Sequence, residues 1–201
     1  SKNPMIFANL FQQEPMPQIG LLYTNLKTYN LDIKNEIGEV KIYCDVADTG
    51  KDYLCSIAYK VINNQAFILD VIYTQKSVEY TEIMLVEQCI KFDVVEAVIE
   101  SNNGGRVFGR NVEKLLNEKN YYKTQIVPHH QSKNKMARIL SNQSSVQRNV
   151  FFPKNWQINF PIFYDHVNKF TKAGTNQTDD CVDTLTGIVE ELENTSKPFI
   201  Y

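Results

Sequence analysis

The sequence predicts an α/β fold built on a mixed sheet, three antiparallel strands followed by parallel ones, with helices flanking it. Three observations carry that expectation. Two β-rich runs, 53–61 and 66–73, are joined by Asn63-Asn64, a pair suited to a tight hairpin turn. The hydrophobic period changes from two to about 3.6 after Ser77. Beyond that point helical and short apolar segments alternate. The chain has 201 residues, enough for one substantial domain and short for two.

The elements follow in order. Residues 1 to about 25 hold Gln12, Gln13, Pro15, Pro17 and Gly20 and predict an irregular lead-in. Glu39 to Cys44 alternates polar and apolar residues, a strand pattern that ends at Asp45. Asp48-Thr49-Gly50-Lys51-Asp52 is rich in turn formers, and the hairpin comes next, completing an antiparallel meander. Ser77 is a fair N-cap for a helix to Phe92, with Val78, Leu85, Val86, Cys89 and Ile90 at helical spacing. Val94 to Ile99 is a short apolar run ending at Glu100, the pattern of a buried parallel strand. Arg106 to Lys119 predicts a helix and Tyr122 to Val127 a strand closed by Pro128. A short helix over 133–140, a short edge strand over 150–153, and helices over 160–171 and 178–192 complete the chain. This succession is the strand order of the ribonuclease H-like fold, and many other α/β sheets begin in the same way.

Bulk properties narrow the function. No apolar run approaches the roughly 20 residues a membrane span needs, and the N-terminus has no signal-peptide pattern. Cys44, Cys55, Cys89 and Cys181 lie far apart with no C-x-x-C pair, which predicts buried free thiols. Neither His129-His130 nor His166 stands at zinc-ligand spacing from them. The net charge of −2 points away from a nucleic-acid surface, because phosphate contacts dominate such binding. Bound cations would weaken that objection, since they neutralise the carboxylates that hold them.

Three acidic positions fall where such a sheet would gather them. Asp45 ends the first strand of the meander, Glu100 ends the fourth strand, and Asp180 with Asp183 opens the last helix. The first and fourth strands would lie side by side and parallel, so their C-terminal ends would meet. Asp180 and Asp183 are three apart and share a helix face, which Thr184 and Gly187 continue with small residues. Val182, Leu185 and Val189 fall on another stripe, expected as core.

Grouped carboxylates suit hard Mg²⁺ or Mn²⁺, and two such ions can activate water and stabilise the leaving 3′ oxygen of a phosphodiester. In that scheme Asp45 bridges both ions, Glu100 binds the ion near the leaving group, and Asp180 and Asp183 bind the ion that carries the water. Each acid alone also has an ordinary reading. Asp45 and Asp48 suit a turn, Glu100 a loop before Ser101-Asn102-Asn103-Gly104-Gly105, and Asp179 and Asp180 the positive end of a helix dipole. The order and spacing of all three positions make the case.

Several stretches resemble the C-terminal nuclease domain of tailed-bacteriophage large terminases. Cys44-Asp45-Val46-Ala47-Asp48-Thr49-Gly50-Lys51-Asp52 is similar to the family's D-x-A-x-x-G-x-D strand end. Val98-Ile99-Glu100-Ser101-Asn102-Asn103-Gly104-Gly105 is similar to its acidic strand end before an N-x-G loop. Thr178-Asp179-Asp180-Cys181-Val182-Asp183-Thr184-Leu185 resembles H-D-D-x-x-D-A-L, with Thr for His and Thr for Ala. Phe11-Gln12-Gln13-Glu14-Pro15 looks like the Q-Q-E-P segment after the motor domain. Lys135-Met136-Ala137-Arg138-Ile139 through Val150-Phe151-Phe152-Pro153 resembles K-x-x-R-I…V-x-x-P.

The resemblance implies a two-metal DNA endonuclease that cuts concatemeric viral DNA during packaging, with Asp45, Glu100, Asp180 and Asp183 as metal ligands for two Mg²⁺ or Mn²⁺ ions. It leaves open which acid of the last motif is the main ligand. It also implies residues 1–30 as a lead-in from an ATPase domain and 31–201 as the nuclease domain. Double-stranded DNA, that ATPase domain, the portal protein and the small terminase are the expected partners, in the cytoplasm of an infected bacterial host, with no membrane. Gly104 to Asn111 mimics a phosphate-binding loop in spacing but lacks its Lys and hydroxyl, so an ATP site is rejected there. Lys133, Lys135, Arg138 and Arg148 form the densest basic stretch and are the expected DNA contacts. The rival readings are another ribonuclease H-like nuclease, such as a junction resolvase, and a non-catalytic module that docks DNA or the portal.

Overall fold

The computed structural model describes residues 20–30, 32–33, 35–47, 52–102, 104–173, 176 and 178–195. Strands β1 (Lys27–Tyr29), β2 (Glu39–Asp45), β3 (Leu54–Ile62), β4 (Gln65–Thr74), β5 (Glu96–Glu100), β6 (Gln125–His129) and β7 (Val150–Pro153) form one seven-stranded sheet in the order β1-β7-β4-β3-β2-β5-β6. The β2-β3-β4 meander is antiparallel, while β2-β5-β6 on one side and β4-β7-β1 on the other are parallel pairs. The fold is the mixed sheet flanked by helices that the sequence predicts. The β3–β4 turn takes Asn63 and Asn64 to φ 50° and 60°, the positive values a two-residue hairpin turn needs and asparagine tolerates.

Alternation along β2 and β5 sorts their side chains between two helix layers. Ile42, Cys44, Ala97 and Ile99 face α1 (Val78–Lys91) and α2 (Gly105–Glu118), packing with Leu85, Val86, Phe108 and Val112. Tyr43 and Val98 face the other layer, made of α3 (Lys135–Asn149), the short α4 (Trp156–Asn159), α5 (Pro161–Lys169) and α6 (Asp180–Thr195), and pack with Ile139, Val182 and Leu185. Asp45 and Glu100 are two residues beyond Tyr43 and Val98, so the same period turns both acids toward the α6 layer. All four cysteines are buried and free.

Three expectations change. The described part of the lead-in, residues 20–30, packs into the fold instead of running irregularly: β1 joins the sheet edge, Leu22 and Tyr23 are core residues, and the Leu22 amide donates to the Phe170 carbonyl. The lead-in's Gln12, Gln13, Pro15 and Pro17 lie outside the described residues, as does Asp48-Thr49-Gly50-Lys51 of the turn after β2. The helix expected over 133–140 runs to Asn149, because Ser145 and Val146 are buried and Ser145 Oγ donates to Glu193 on α6. Packing overrides the weak helix propensity of the Ser- and Asn-rich second half. The strand over 150–153 is interior rather than an edge, since β1 covers its free side.

Candidate metal centre

β2 and β5 pair in parallel with Cys44 opposite Ile99, so Asp45 and Glu100 emerge one residue later, side by side at the sheet's C-terminal edge. α6 crosses this edge at close range. Gly187 makes that possible: a Cβ there would sit 2.1 Å from Tyr43 Cζ. The small stripe read from the sequence thus seats α6 directly on the Tyr43 ring, and Asp183, one turn earlier, drops into the cleft. Carboxylate oxygens of Asp45, Glu100 and Asp183 all lie within 4.8 Å of one another. Asp180 stands at the rim of the same cleft of about 320 Å³. Its Oδ2 accepts from the Tyr53 amide at 3.0 Å and from Thr178 Oγ1 at 2.5 Å. Thr178, where the terminase pattern has His, therefore anchors Asp180.

Two cations from the first two turns of α3 enter the cluster. Lys135 Nζ lies 2.8 Å from Asp179, 3.4 Å from Asp183 and 3.5 Å from both Asp45 and Asp180. The Arg138 side chain is 1% exposed, and it sits 3.1 Å from both Asp183 and Glu190 and 3.6 Å from Glu100. Glu100 also accepts a hydrogen bond from the buried Tyr43 hydroxyl at 2.8 Å. Burial pushes the Asp45 carboxyl well above its ordinary range; Lys135 opposes that rise, and Glu100, Asp183 and Asp180 add to it. Burial likewise lifts Asp183 to about 6, held down in part by Lys135 and Arg138. Burial would lower Lys135, but Asp45, Asp183 and Asp179 more than offset it and hold its ammonium charged.

The donor set fits a hard divalent cation. It is all carboxylate oxygen, and it gathers more negative charge than Lys135 and Arg138 neutralise. Asp45 Oδ2 and Asp183 Oδ1 are buried with no hydrogen bond, although each lies beside a cation. Buried carboxylate oxygens that accept no hydrogen bond are costly, and a metal ion among them relieves that cost.

Of the residues expected from sequence, Asp45, Glu100 and Asp183 come together, with Asp180 beside them. The expected DNA contacts divide. Lys133 is exposed at the cleft mouth, Lys135 is inside the carboxylate cluster, and Arg138 is too deeply buried and too fully committed to carboxylates to reach DNA. Arg148 is exposed thirteen residues beyond Lys135, roughly 20 Å along the helix axis. Sequence reasoning missed Tyr43, whose signal is its place two residues before Asp45. It also missed the role of Lys135 and Arg138. A lysine in the first turn of a helix opposes the helix dipole, which is the signal that it serves something other than the helix.

With this geometry in view, the sequence profile described as Terminase Bacteriophage T7, Ribonuclease H-like domain matches residues 44–149. The chain belongs to that family. No curated protein matches its sequence. The fold is similar to the human cytomegalovirus terminase nuclease domain, Mn soaked and inhibitor bound, at 13% identity and a TM-score of 0.53, over 86% of this chain and 91% of that one. It is also similar to the large terminase nuclease domain of bacteriophage SPP1 with bound Mn, at 12% identity and a TM-score of 0.52, over 84% and 97%. Against the large terminase of a thermophilic bacteriophage the TM-score is 0.53 at 8% identity, over 89% of this chain and 44% of that one. This terminase-family domain thus corresponds to less than half the length of that large terminase.

Proposed function

We propose that this terminase-family domain is a metal-dependent DNA endonuclease that cuts concatemeric viral DNA during genome packaging by a two-metal mechanism. The observation that carries the reading is the meeting of Asp45, Glu100 and Asp183 within 4.8 Å, from two strands and a crossing helix. Asp45, Glu100 and Asp183, with Asp180 beside them, would hold the ions, Glu100 on the leaving-group side and Asp183 and Asp180 on the side of the attacking water. Ions bound there would supply activation of that water and stabilisation of the leaving 3′ oxygen.

The chain's own groups do the rest. Tyr43 and Arg138 hold Glu100 and Asp183 in place from below. Lys135 balances the carboxylates, and with metal among them its ammonium would be free to turn to a DNA phosphate. Lys133 at the mouth meets the DNA backbone, where contacts need carry no sequence information.

Mg²⁺ and Mn²⁺ are the metals this oxygen set suits, and manganese is the ion in the cytomegalovirus and SPP1 domains. The domain works as part of a longer large terminase with an ATPase motor, alongside the portal protein and small terminase, in the host cytoplasm. The 44% coverage of the thermophilic phage protein supports the longer chain. Nicking of supercoiled plasmid with Mn²⁺, Mg²⁺ or EDTA, wild type beside Asp45→Ala, tests the reading. Cleavage that needs metal and vanishes in the variant is expected. No cleavage, joined to no metal binding by calorimetry, leaves a docking module; preference for branched junctions or RNA–DNA hybrids leaves another ribonuclease H-like nuclease.

A further inference from the structure

Two grooves leave the acid cleft, and charge separates them. One, of about 620 Å³, runs between α3 and α6 and ends against Glu190 and Glu193. Its cations are Arg138, already paired with Glu190 and Asp183, and Lys133, which stands at the mouth this groove shares with the acid cleft. The other leaves past Asn102, which the acid cleft shares with a shallow groove reaching His130 and Arg106. Arg106 in turn is shared with a hollow of about 250 Å³ beneath α2. Ile99, Ile126 and Pro128 floor that hollow, and Arg110 stands beside Arg106 one turn along the helix. Gly105 and Gly109 leave it open, because neither places a side chain there. Both arginines are exposed, and among the described residues neither forms an ion pair; Glu113 is the acid lining the hollow.

We propose that DNA leaving the acid cleft follows this second groove, with consecutive phosphates on Arg106 and Arg110 and a deoxyribose face against Ile126 and Pro128. The inference rests on the nuclease reading above and gives that site its polarity: the strand crosses the β5–β6 edge rather than the α3–α6 seam. Phosphates repel Glu190 and Glu193 on the seam, while arginine recognises phosphate in a bidentate manner on the other side. The apolar floor accepts sugar carbon without desolvating an unpaired charge.

The test is DNA binding by fluorescence anisotropy, using a labelled duplex with Ca²⁺ in place of Mn²⁺, across a range of salt concentrations. Arg106→Ala/Arg110→Ala should weaken binding about 10- to 100-fold near 0.1 M salt and reduce the slope of log Kd against log salt by about 2, one per lost phosphate contact. Lys114→Ala/Lys119→Ala removes the same charge from the far end of α2, with Lys119 roughly 20 Å from Arg106, and should leave the slope unchanged. Equal slopes for the two double variants overturn the path. Plasmid nicking with Mn²⁺ on the same proteins separates the two claims. If wild type nicks while the slopes are equal, the nuclease stands and the path fails. If wild type neither binds nor nicks, both fail.

Discussion

At the scale of single residues the cluster divides into groups that would meet metal and groups that hold them. Asp183 belongs with Asp45 and Glu100 in the close trio, whereas Asp180 is tied by its Oδ2 to Tyr53 and Thr178. Asp183→Asn should therefore cut metal affinity more than about 100-fold, beyond the roughly 10- to 100-fold typical of groups that only support a ligand. Asp180→Asn should fall within that smaller range. Calorimetric titration with Mn²⁺ decides; equal losses would make the two acids equivalent ligands. Arg138 is the opposite case, a buried cation whose removal strands carboxylates. Arg138→Met should destabilise the metal-free protein by about 3–5 kcal/mol in urea unfolding, and Mn²⁺ should restore part of that loss. An effect below about 1 kcal/mol would show that Asp183 and Glu190 do not depend on it. Asp45 and Glu100 were legible in the sequence because a strand end fixes where its last residue emerges. Arg138, expected among the DNA contacts from the density of basic residues, is buried against Asp183 and Glu190, because density along the chain does not show which neighbour a helix faces.

At the scale of elements, the approach of α6 to β2 sets the site. Alanine improves helix propensity over glycine by up to about 1 kcal/mol, yet Gly187→Ala would push a Cβ into the Tyr43 ring. Overpacking of that kind costs typically about 1–3 kcal/mol, so the net change should be destabilising, with loss of metal binding as Asp183 lifts away. Tyr43→Ala in the Gly187→Ala background should recover part of the penalty; a strictly additive double mutant would refute the contact. A second seam joins α5 to β4, where Tyr73 Oη and His166 Nδ1 lie 2.8 Å apart. Burial, the largest cause, and Lys169 lower the His166 pKa below 6.5, against Asp165 and Asp180. A folded pKa below the unfolded value means that the unfolded chain binds more protons, so this contribution is whole above about 6.5 and is lost as pH falls. Asp183, raised to about 6, slopes the other way in the metal-free protein. The difference in Tm between wild type and His166→Asn isolates the histidine, and that gap should narrow as pH drops from 7.5 to 5. The small residues of α6 could be read from the 3.6 period, but the reach of α3 to Asn149 could not. Ser145 and Val146 are helical because of what they touch.

At the scale of the whole molecule, the sheet was legible where long-period patterns repeat and illegible at its β1 edge. Three residues, Lys27–Tyr29, carry too little pattern to announce a strand, and their partner β7 comes more than a hundred residues later. The same long-range assembly makes the metal centre a property of the folded chain alone. Asp45, Glu100 and Asp183 are 55 and 83 residues apart in sequence, so an unfolded chain offers no comparable site. Metal binding must then appear as folding stability. At a free concentration 100 times its Kd, a ligand that binds only the native state adds about 2.7 kcal/mol. For a domain of this size about 1 kcal/mol moves Tm by roughly 2–4 °C, so saturating Mn²⁺ should raise Tm by about 5–10 °C and EDTA should reverse it. Asp45→Ala should abolish the rise while unfolding at or above the metal-free wild-type temperature, because it removes a buried carboxylate that burial already disfavours. A rise of equal size in the variant would place the bound manganese elsewhere on the protein, and a wild-type Tm indifferent to metal would leave Lys135 and Arg138 as the only cations this cluster needs.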